Sequence, residues 1–373
     1  MTTPALFTPI KLRELAIRNR VVLSPMCQYL AVDGCVTDWH YAHHAKFAMA
    51  GVGVGMVEAT AVTREGRITH GCTGLWDDGQ IDGMARIAEL YSRYGAVPAI
   101  QLNHAGWKGS AQRPLEGAGP LSTETREAPW QTLGPSAISC KQGWPAAQAM
   151  STADIEALKE AWRQAFRRAL RAGFRIVEVH AAHGYLVHSF LSPISNKRAD
   201  AYGGDLRGRM RLALEITDIA REEWPADLPV FFRISSIDDA QGGWTLEDSV
   251  VLAAELKQRG VDAIDCSAGG LQNLPISGRT LPPQGFQVPY AARIRKETGI
   301  ATMAVGLILD AEFADAVIRK GDADLIAIGR EFLADPNWVF HAAQRLGFDG
   351  ALDLLPREYS FYLARRAASR KTA

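Results

Sequence analysis

The sequence lacks an excess of charge of either sign. Its 373 residues include 41 Lys and Arg and 41 Asp and Glu, which leaves a formal net charge of +0. Proteins that bind nucleic acid through their electrostatic field need a surplus of basic residues to contact phosphates. The even balance argues against a nucleic-acid partner, and we expect none.

Cysteine is scarce, and its spacing does not suit metal binding. No two cysteines form a Cys-x-x-Cys pair, so neither a zinc ribbon nor an iron–sulfur cluster is supported, and we expect no metal. Their odd number and scattered positions also differ from a secreted disulfide framework and indicate a reducing compartment. The five are Cys27, Cys35, Cys72, Cys140 and Cys266.

Long apolar runs are absent as well. No stretch approaches the roughly 18 apolar residues of a membrane span, and residues 1–6 lack the basic start of a secretory signal. Hydrophobic residues still make up 47% of the chain and charged residues 22%, which is enough for a large core. We expect a soluble, cytoplasmic protein with no membrane partner.

What the sequence does contain is a regular alternation of short apolar runs and amphipathic stretches. Ser151, Thr245 and Asp310 stand where helices need N-caps, and Gly260 and Gly321 stand where two of these helices end. Eight β-then-α units favour the α/β class, as a single (β/α)₈ TIM barrel, over a doubly wound open sheet. The predicted strands are Val21–Ser24, Val54–Thr60, Val97–Asn103, Ile176–Ala181, Pro229–Ile234, Ala263–Ser267, Ala301–Val305 and Leu325–Ile328.

Two segments depart from the alternation. Residues 106–150, after the third strand, are rich in Gly, Pro and Ser and include three tryptophans, which predicts a long, ordered loop or lid on the C-terminal face of the barrel. Residues 347–373 form a basic, partly apolar tail that either covers a neighbouring subunit or frays. The barrel domain is then residues 1–346.

One strand end concentrates chemical function. Residues 175–185 read Arg-Ile-Val-Glu-Val-His-Ala-Ala-His-Gly-Tyr, which places His180, His183 and Tyr185 together at the mouth of the predicted barrel. Three donors of graded acidity suit the stabilisation of an oxyanion and the delivery of a proton. The alternative is two core histidines and a packing tyrosine, and this segment alone does not decide between them.

Other strand ends are polar or glycine-rich. Gly306 and Gly329 end the last two strands, and with Arg330 they suit a cofactor phosphate, although such turns need glycine for other reasons too. Gln101 and Arg233 suit a flat heteroaromatic ring whose reduced form carries negative charge. Taken singly, Arg233 could equally be a buried ion-pair partner and Gln101 a core residue.

Together these segments resemble the Old Yellow Enzyme family of FMN-dependent ene-reductases, in its bacterial, thermophilic-like branch with the xenobiotic reductases. The resemblance runs from Phe7 to Trp338. It is carried by residues Asn19–Tyr29, Thr37–His40, Val57–Val62, Gln101–Gly106, Glu178–Tyr185, Phe190–Pro193, Tyr202–Gly204 and Ile328–Arg330.

The resemblance implies an FMN site. Cys27 would lie near the reactive edge of the flavin and tune its potential without acting as a nucleophile. NADPH or NADH would reduce the flavin in the same pocket, with no separate dinucleotide-binding domain. The isoalloxazine ring would be held by Ser24, Pro25, Met26, Cys27, Ala59, Gln101 and Arg233, and the phosphate by Gly306, Gly329 and Arg330.

The resemblance also implies a substrate, which is a small activated alkene such as an enone, enal, maleimide or nitro compound. His180 and His183 would bind its oxygen, Tyr185 would deliver the proton, and Tyr29 and Lys108 would line the pocket. The family habit suggests a homodimer or homotetramer. Two alternatives stay open: another FMN barrel of the dihydroorotate or 2-hydroxy-acid type, or a barrel that binds flavin without catalysis.

Two motifs that suggest other functions have simpler explanations. Residues 51–55, Gly-Val-Gly-Val-Gly, precede a strand and lack the dinucleotide spacing, so they predict a helix-to-strand turn. His40, His43 and His44 predict the start of a helix more readily than a metal site. One departure from the family is Trp107, where relatives more often carry Arg, which leaves the shape of the lid open.

A second departure lies in the tail. Relatives carry an Arg or Trp within two residues of a tyrosine there, whereas Tyr359 is followed by Ser360, Phe361 and Tyr362. The sequence therefore leaves open whether the tail completes a neighbour's site.

Overall fold

Eight parallel strands close into a barrel in this computed structural model, which describes residues 3–238, 240–271 and 282–371. Around the barrel each strand pairs with the next in sequence, and the last strand pairs with the first through Ile326 and Val21. The predicted TIM barrel is therefore confirmed. The strands are β1 (Val21–Leu23), β2 (Val54–Ala61), β3 (Val97–Asn103), β4 (Ile176–Ala181), β5 (Val230–Ser235), β6 (Ala263–Ser267), β7 (Ala301–Ala304) and β8 (Leu325–Ile328).

Helices follow the strands and cover the outside of the barrel. The N-cap predictions are confirmed. The side chains of Ser151, Thr245 and Asp310 each accept a hydrogen bond from the backbone N–H of the residue three positions later in the chain. The helices are α1 (Asp38–Ala48), α2 (Ile81–Arg93), α3 (Thr152–Arg171), α4 (Leu186–Leu191), α5 (Leu206–Glu223), α6 (Leu246–Gln258), α7 (Val288–Thr298), α8 (Ala311–Lys320), α9 (Arg330–Ala334), α10 (Trp338–Arg345) and α11 (Arg357–Lys371).

The two motifs that suggested other functions fold as predicted. His40, His43 and His44 lie buried on α1, and residues 51–53 form the turn into β2. Within the described ranges, no helix combines the length and the hydropathy that a membrane crossing requires.

The barrel strands are buried on both faces, as expected for a parallel sheet covered by helices. Inside the barrel, apolar side chains such as Val54, Ile176 and Phe231 form a cluster near the N-terminal ends of the strands. A hairpin of Ile10–Leu12 and Leu15–Ile17 packs on this cluster and closes that end. The polar strand ends are left at the opposite mouth.

The predicted lid is an ordered excursion between β3 and α3. It contains short 3₁₀ turns at Gly106–Lys108 and Pro114–Glu116 and two-residue strands at Leu133–Gly134 and Gln148–Ala149. Trp107 anchors it, with 2% of its surface exposed. The long loop predicted from composition is therefore present.

In the predicted tail, Ala351–Leu354 form a 3₁₀ turn and α11 follows. Residues 372 and 373 lie outside the described residues. The side chains of Phe361 and Tyr362 are 52% and 70% exposed.

Candidate active site

A tight turn after β4 brings together the three side chains predicted to carry the chemistry. His183 adopts a left-handed conformation with φ of 60°, and Gly184 follows with φ of 76°, so the chain reverses before Tyr185 caps α4. The ring of His180 lies edge-on to those of His183, at 5.2 Å between centroids, and Tyr185, at 5.0 Å. The geometry places the predicted trio in one cluster.

Hydrogen bonds fix the two imidazoles. Nδ1 of His180 accepts from the backbone N–H of Ala182 at 3.2 Å, so the ring hydrogen of the neutral form is on Nε2. Nε2 of His183 lies 2.7 Å from Oγ of Ser267, and the His183 backbone N–H donates to Oγ of Ser235 at 2.9 Å. Each imidazole therefore has one nitrogen engaged by the protein.

The electrostatic environment keeps these groups uncharged. Burial, and then the positive charge of Arg233, lowers the pKa of both His180 and His183 well below the usual imidazole range. Burial likewise raises the pKa of Tyr185, so its phenol keeps its proton at neutral pH. The cluster offers neutral N–H and O–H donors to a ligand.

The loop after β1 carries four predicted cofactor residues in a row, Ser24, Pro25, Met26 and Cys27. Ser24 is tied to the end of β8, since its N–H donates to the carbonyl of Ile328 at 2.9 Å. The Cys27 thiol packs in the apolar cluster that Tyr29 and Tyr185 also contact. Burial, and then Glu58, raises the pKa of Cys27, which favours the thiol over the nucleophilic thiolate.

Ala59 sits at an irregularity between β2 and β3. Val57 pairs with Ile100 and Thr60 with Leu102, so two residues of β2 oppose the single Gln101 of β3. Such bulges redirect the backbone next to active sites. The irregularity brings Ala59 and Gln101, both predicted cofactor contacts, side by side at the mouth.

Beneath the mouth lies a cluster of four buried polar side chains. The sequence analysis predicted only two of them, Gln101 and Arg233, as site residues. Gln101 donates to Glu178 at 2.7 Å, and Nε of Arg233 lies 3.1 Å from Oδ2 of Asp265. Burial raises the pKa of Glu178 and of Asp265. Both carboxyls were missed because each stands within an apolar run that otherwise predicts only a core strand.

Arg233 provides a test of whether a cofactor ring fits here. Its guanidinium has five N–H donors and is 6% exposed. Within the described ranges, the contact of Nε with Asp265 is not aligned as a hydrogen bond. Buried donors of this kind need acceptors. The carbonyl and nitrogen edge of an isoalloxazine ring would supply them, so the residues fit FMN.

The predicted phosphate residues also converge. Gly306, Gly329 and Arg330 line one cleft with Ser24, and its volume is about 100 Å³. Gly306 has φ of 111°, and a Cβ there would lie 2.7 Å from Oε1 of Gln287, so only glycine leaves this backbone open. A small anion at the ends of β7 and β8 fits this arrangement.

Lys108 and Trp107 hold the turn between β4 and α4 from the lid side. Nζ of Lys108 donates to the carbonyls of His183, at 2.7 Å, and of Gly270. Nε1 of Trp107 donates to the carbonyl of Gly184 at 2.6 Å. Burial lowers the pKa of Lys108 to about 8. Lys108 thus binds the turn itself, and its predicted role in lining the substrate pocket stays a prediction.

A buried pair behind the turn was also missed. Nδ1 of His188 accepts from the backbone N–H of Gly184 at 2.8 Å, while its Nε2 lies 2.8 Å from Oδ1 of Asp238. Asp238 in turn accepts from Oγ of Ser192 and from the N–H of Trp244. His188 is close to the motif in sequence, but Asp238 follows a different strand, so no local signal links them.

The closed parallel barrel, with buried imidazoles and a glycine-lined cleft at the C-terminal ends of its strands, has the architecture of the α/β-barrel enzymes. The chain belongs to the NADH:flavin oxidoreductase / NADH oxidase family, whose model matches residues 5–348.

Individual relatives agree. The chain is 41% identical over 344 residues to the NADPH dehydrogenase of Geobacillus thermodenitrificans (strain NG80-2), covering 92% of this chain and 94% of the relative. It is 40% identical over 343 residues to the NADPH dehydrogenase of Bacillus subtilis (strain 168), covering 91% and 95%.

Solved structures of Old Yellow Enzyme type also superpose on the chain. Morphinone reductase matches with a TM-score of 0.75 at 28% identity, covering 93% of this chain and 90% of that one. The Old Yellow Enzyme homologue of Zymomonas mobilis matches at 0.73 and 25%, covering 90% and 91%. The comparisons confirm the predicted family, and with it an oxidoreductase that uses FMN and NAD(P)H.

Proposed function

We propose that the protein is an ene-reductase. NADPH or NADH would reduce FMN, and an activated alkene would then occupy the pocket that the nicotinamide has left. The observation that carries the proposal is the perpendicular His180–His183 pair, kept neutral by burial beside the phenol of Tyr185. A neutral imidazole pair suits an electron-rich oxygen. The 2-hydroxy-acid and dihydroorotate alternatives need a base instead, and a phenol with a raised pKa is a poor one.

When bound, FMN supplies a hydride for the β-carbon of the alkene. Negative charge then develops on the conjugated oxygen, and His180, through Nε2–H, and His183, through Nδ1–H, donate hydrogen bonds to it. In this assignment Ser267 donates to Nε2 of His183. Removal of one such donor from an oxyanion site typically costs about 2.7–4 kcal/mol.

Tyr185 completes the reaction by giving its phenolic proton to the α-carbon. Its ring is fixed edge-on to His180, and its raised pKa keeps the proton in place until the substrate carbon becomes basic. Tyr29, which packs on the same small apolar cluster as Tyr185, lines the same pocket in this proposal.

The cofactor would be held by the residues that the fold brings to the mouth. Arg233 and Gln101 would meet the polar edge of the ring, and Cys27, as a thiol, would tune its potential. The full set is Ser24, Pro25, Met26, Cys27, Ala59, Gln101 and Arg233 for the ring, with Gly306, Gly329 and Arg330 for the phosphate.

The names of the relatives favour NADPH as the physiological reductant. We further propose that residues 1–346 form the FMN-binding domain and that residues 347–373 lie at the interface of a homodimer or homotetramer in the cytoplasm. The exposed aromatic side chains of α11 support the interface.

The test separates the two halves of the reaction. His180→Ala should slow the oxidation of reduced enzyme by cyclohexenone about 100-fold or more, because an oxyanion donor is lost. The same variant should leave the reduction of the flavin by NADPH nearly unchanged. Anaerobic stopped-flow absorbance measures both rates.

The matched control is His341→Ala, which removes a half-exposed imidazole on α10 and should change neither rate. Equal losses in both halves for His180→Ala would contradict the assigned role. A purified protein that stays colourless after incubation with FMN would overturn the proposal as a whole.

A further inference from the structure

The lid contains a cavity that the chemistry above does not use. Its volume is about 440 Å³, within the range of small-molecule sites. None of the side chains that line it, among the described residues, carries a charge. They include three tryptophans, Trp107, Trp130 and Trp144, and the exposed Ser122.

The walls of this lid cavity are already fixed. Nε1 of Trp130 donates to the carbonyl of Glu65 at 3.0 Å, and its backbone N–H donates to Oγ of Ser110 at 3.0 Å. The Arg67 guanidinium lies 5.3 Å from the centre of the Trp130 ring, and His70 meets that ring edge-on. A preformed aromatic wall binds a flat ligand with little loss of conformational entropy.

Two of the walls are shared with the catalytic cluster. Trp107 lines the cavity and donates its indole N–H to the carbonyl of Gly184, between His183 and Tyr185. Trp144 also lines the cavity, and it packs on the same small apolar cluster as Tyr29 and Tyr185. Two tryptophans of the cavity wall therefore contact the elements that carry His183 and Tyr185.

From this arrangement we propose that the lid cavity is a subsite for the distal part of the substrate. The occupant is an uncharged, flat, apolar ring system attached to the activated alkene. An apolar, tryptophan-rich wall without charged groups selects for such a ring and against anionic or cationic substituents, whose desolvation it cannot offset. The inference rests on the proposed ene-reductase function.

The test compares cyclohexenone with a cyclohexenone that carries a neutral naphthyl group. Ser122→Trp adds a large ring at an exposed residue of the cavity wall, and of the described contacts it removes only the hydrogen bond from the Glu124 N–H to Oγ of Ser122. It should reduce kcat/KM for the naphthyl substrate at least about tenfold and leave that for cyclohexenone unchanged. The matched control is Leu115→Trp, a fully exposed lid position outside the cavity, which should change neither value.

A binding measurement keeps the test independent of turnover. The saturated naphthyl cyclohexanone cannot be reduced, and its dissociation constant with the FMN-loaded enzyme follows from quenching of tryptophan fluorescence. We expect tighter binding than for cyclohexanone in the native protein, with the advantage lost in Ser122→Trp and kept in Leu115→Trp.

The outcomes separate the two proposals. The subsite would be overturned if, for each enone, kcat/KM were the same in Ser122→Trp as in the native protein. It would also be overturned if the native protein bound the two saturated ketones equally tightly. Failure of the native enzyme to reduce either enone, with naphthyl-selective binding intact, would instead overturn the ene-reductase function on which the assignment of the occupant depends.

Discussion

At the scale of single residues, Glu58 shows how a buried carboxyl can organise a loop. It is 1% exposed within β2, and both of its oxygens accept from the N–H of Gln28, at 3.0 and 3.1 Å. Nε2 of His40 lies 3.9 Å away. Burial raises the pKa of Glu58 to about 8, which makes the protonated form dominant at neutral pH.

This raised pKa predicts a pH-dependent stability. The folded protein binds the Glu58 proton more tightly than the unfolded chain, so the stabilisation is complete below the unfolded pKa of about 4.5 and is lost as the pH rises through about 8. Glu58→Gln replaces this titrating carboxyl by a neutral amide. The fall in unfolding free energy between pH 5 and pH 8 should shrink in the variant by on the order of 4 kcal/mol.

Urea unfolding at saturating FMN measures this free energy, and Glu116→Gln, at an exposed lid carboxyl, is the control. An unchanged pH dependence in Glu58→Gln would show that this carboxyl is not the group responsible. A change of similar size in Glu116→Gln would point to a general effect of charge.

The predictability of single residues depended on where their partners lie in the chain. His180, His183 and Tyr185 stand within six positions and could be grouped from the sequence. Glu178 and Asp265 reach the site only through strand pairing in the barrel. Their carboxyls look anomalous in an apolar run, but nothing local shows what they contact.

At the scale of elements, the turn between β4 and α4 is held by side chains that have no role in the proposed reaction steps. Gly184 donates its N–H to His188, and its carbonyl accepts from Trp107. Nε2 of His188 lies 2.8 Å from Oδ1 of Asp238. Since His183 and Tyr185 flank Gly184, we predict that this chain of contacts sets their relative placement and that His188 and Asp238 act as positioning residues.

This role predicts different effects for two substitutions. His188→Asn keeps an oxygen acceptor for the Gly184 N–H, whereas His188→Leu leaves that buried donor without one. We expect His188→Leu to lower kcat for enone reduction about tenfold or more relative to His188→Asn, since small displacements of catalytic groups have large effects on rate. Flavin content and the rate of flavin reduction by NADPH should be similar in both.

Stopped-flow traces of the two half-reactions, alongside the ratio of flavin to protein, make this comparison. Loss of flavin in His188→Leu would assign the residue to general folding. Equal rates of enone reduction in the two variants would exclude the hydrogen bond to Gly184 as the means of positioning.

The elements themselves were largely predictable, because strands and caps carry local signals. The bounds of β3, β4, β6 and β8 match the prediction, and most of the others differ at their ends by a single residue. β1 ends at Leu23 although Ser24 still donates to Ile328, because Pro25 has no N–H with which to continue the ladder. The short α4 was missed because it begins directly after Tyr185, without a capping side chain.

At the scale of the whole molecule, the tail is the part whose role the single chain leaves open. α11 presents Tyr359, Phe361 and Tyr362 to solvent, with exposed fractions of 51%, 52% and 70%. A patch of three aromatics on an otherwise charged terminal helix is typical of a surface that another subunit covers. The barrel could be predicted from repeated local patterns, whereas assembly depends on a second chain.

The tail also yields a prediction about assembly. Phe361→Glu with Tyr362→Glu should weaken self-association at least about tenfold, because burial of two carboxylates in an apolar contact is costly. Sedimentation velocity across a range of concentrations measures the oligomer. As control, Arg366→Glu changes the charge of the same helix without removing an aromatic ring. An oligomer equally stable in all three proteins would place the interface elsewhere.

The hairpin at residues 10–17 closes one end of the barrel, so the two ends of the barrel have different roles. The residues proposed to contact flavin and acceptor lie at one end of the barrel, while the other end consists of tightly packed aliphatic and aromatic side chains. Substitutions meant to raise thermal stability are therefore best placed at the hairpin end and should conserve core volume, since that end lies away from the groups proposed to react.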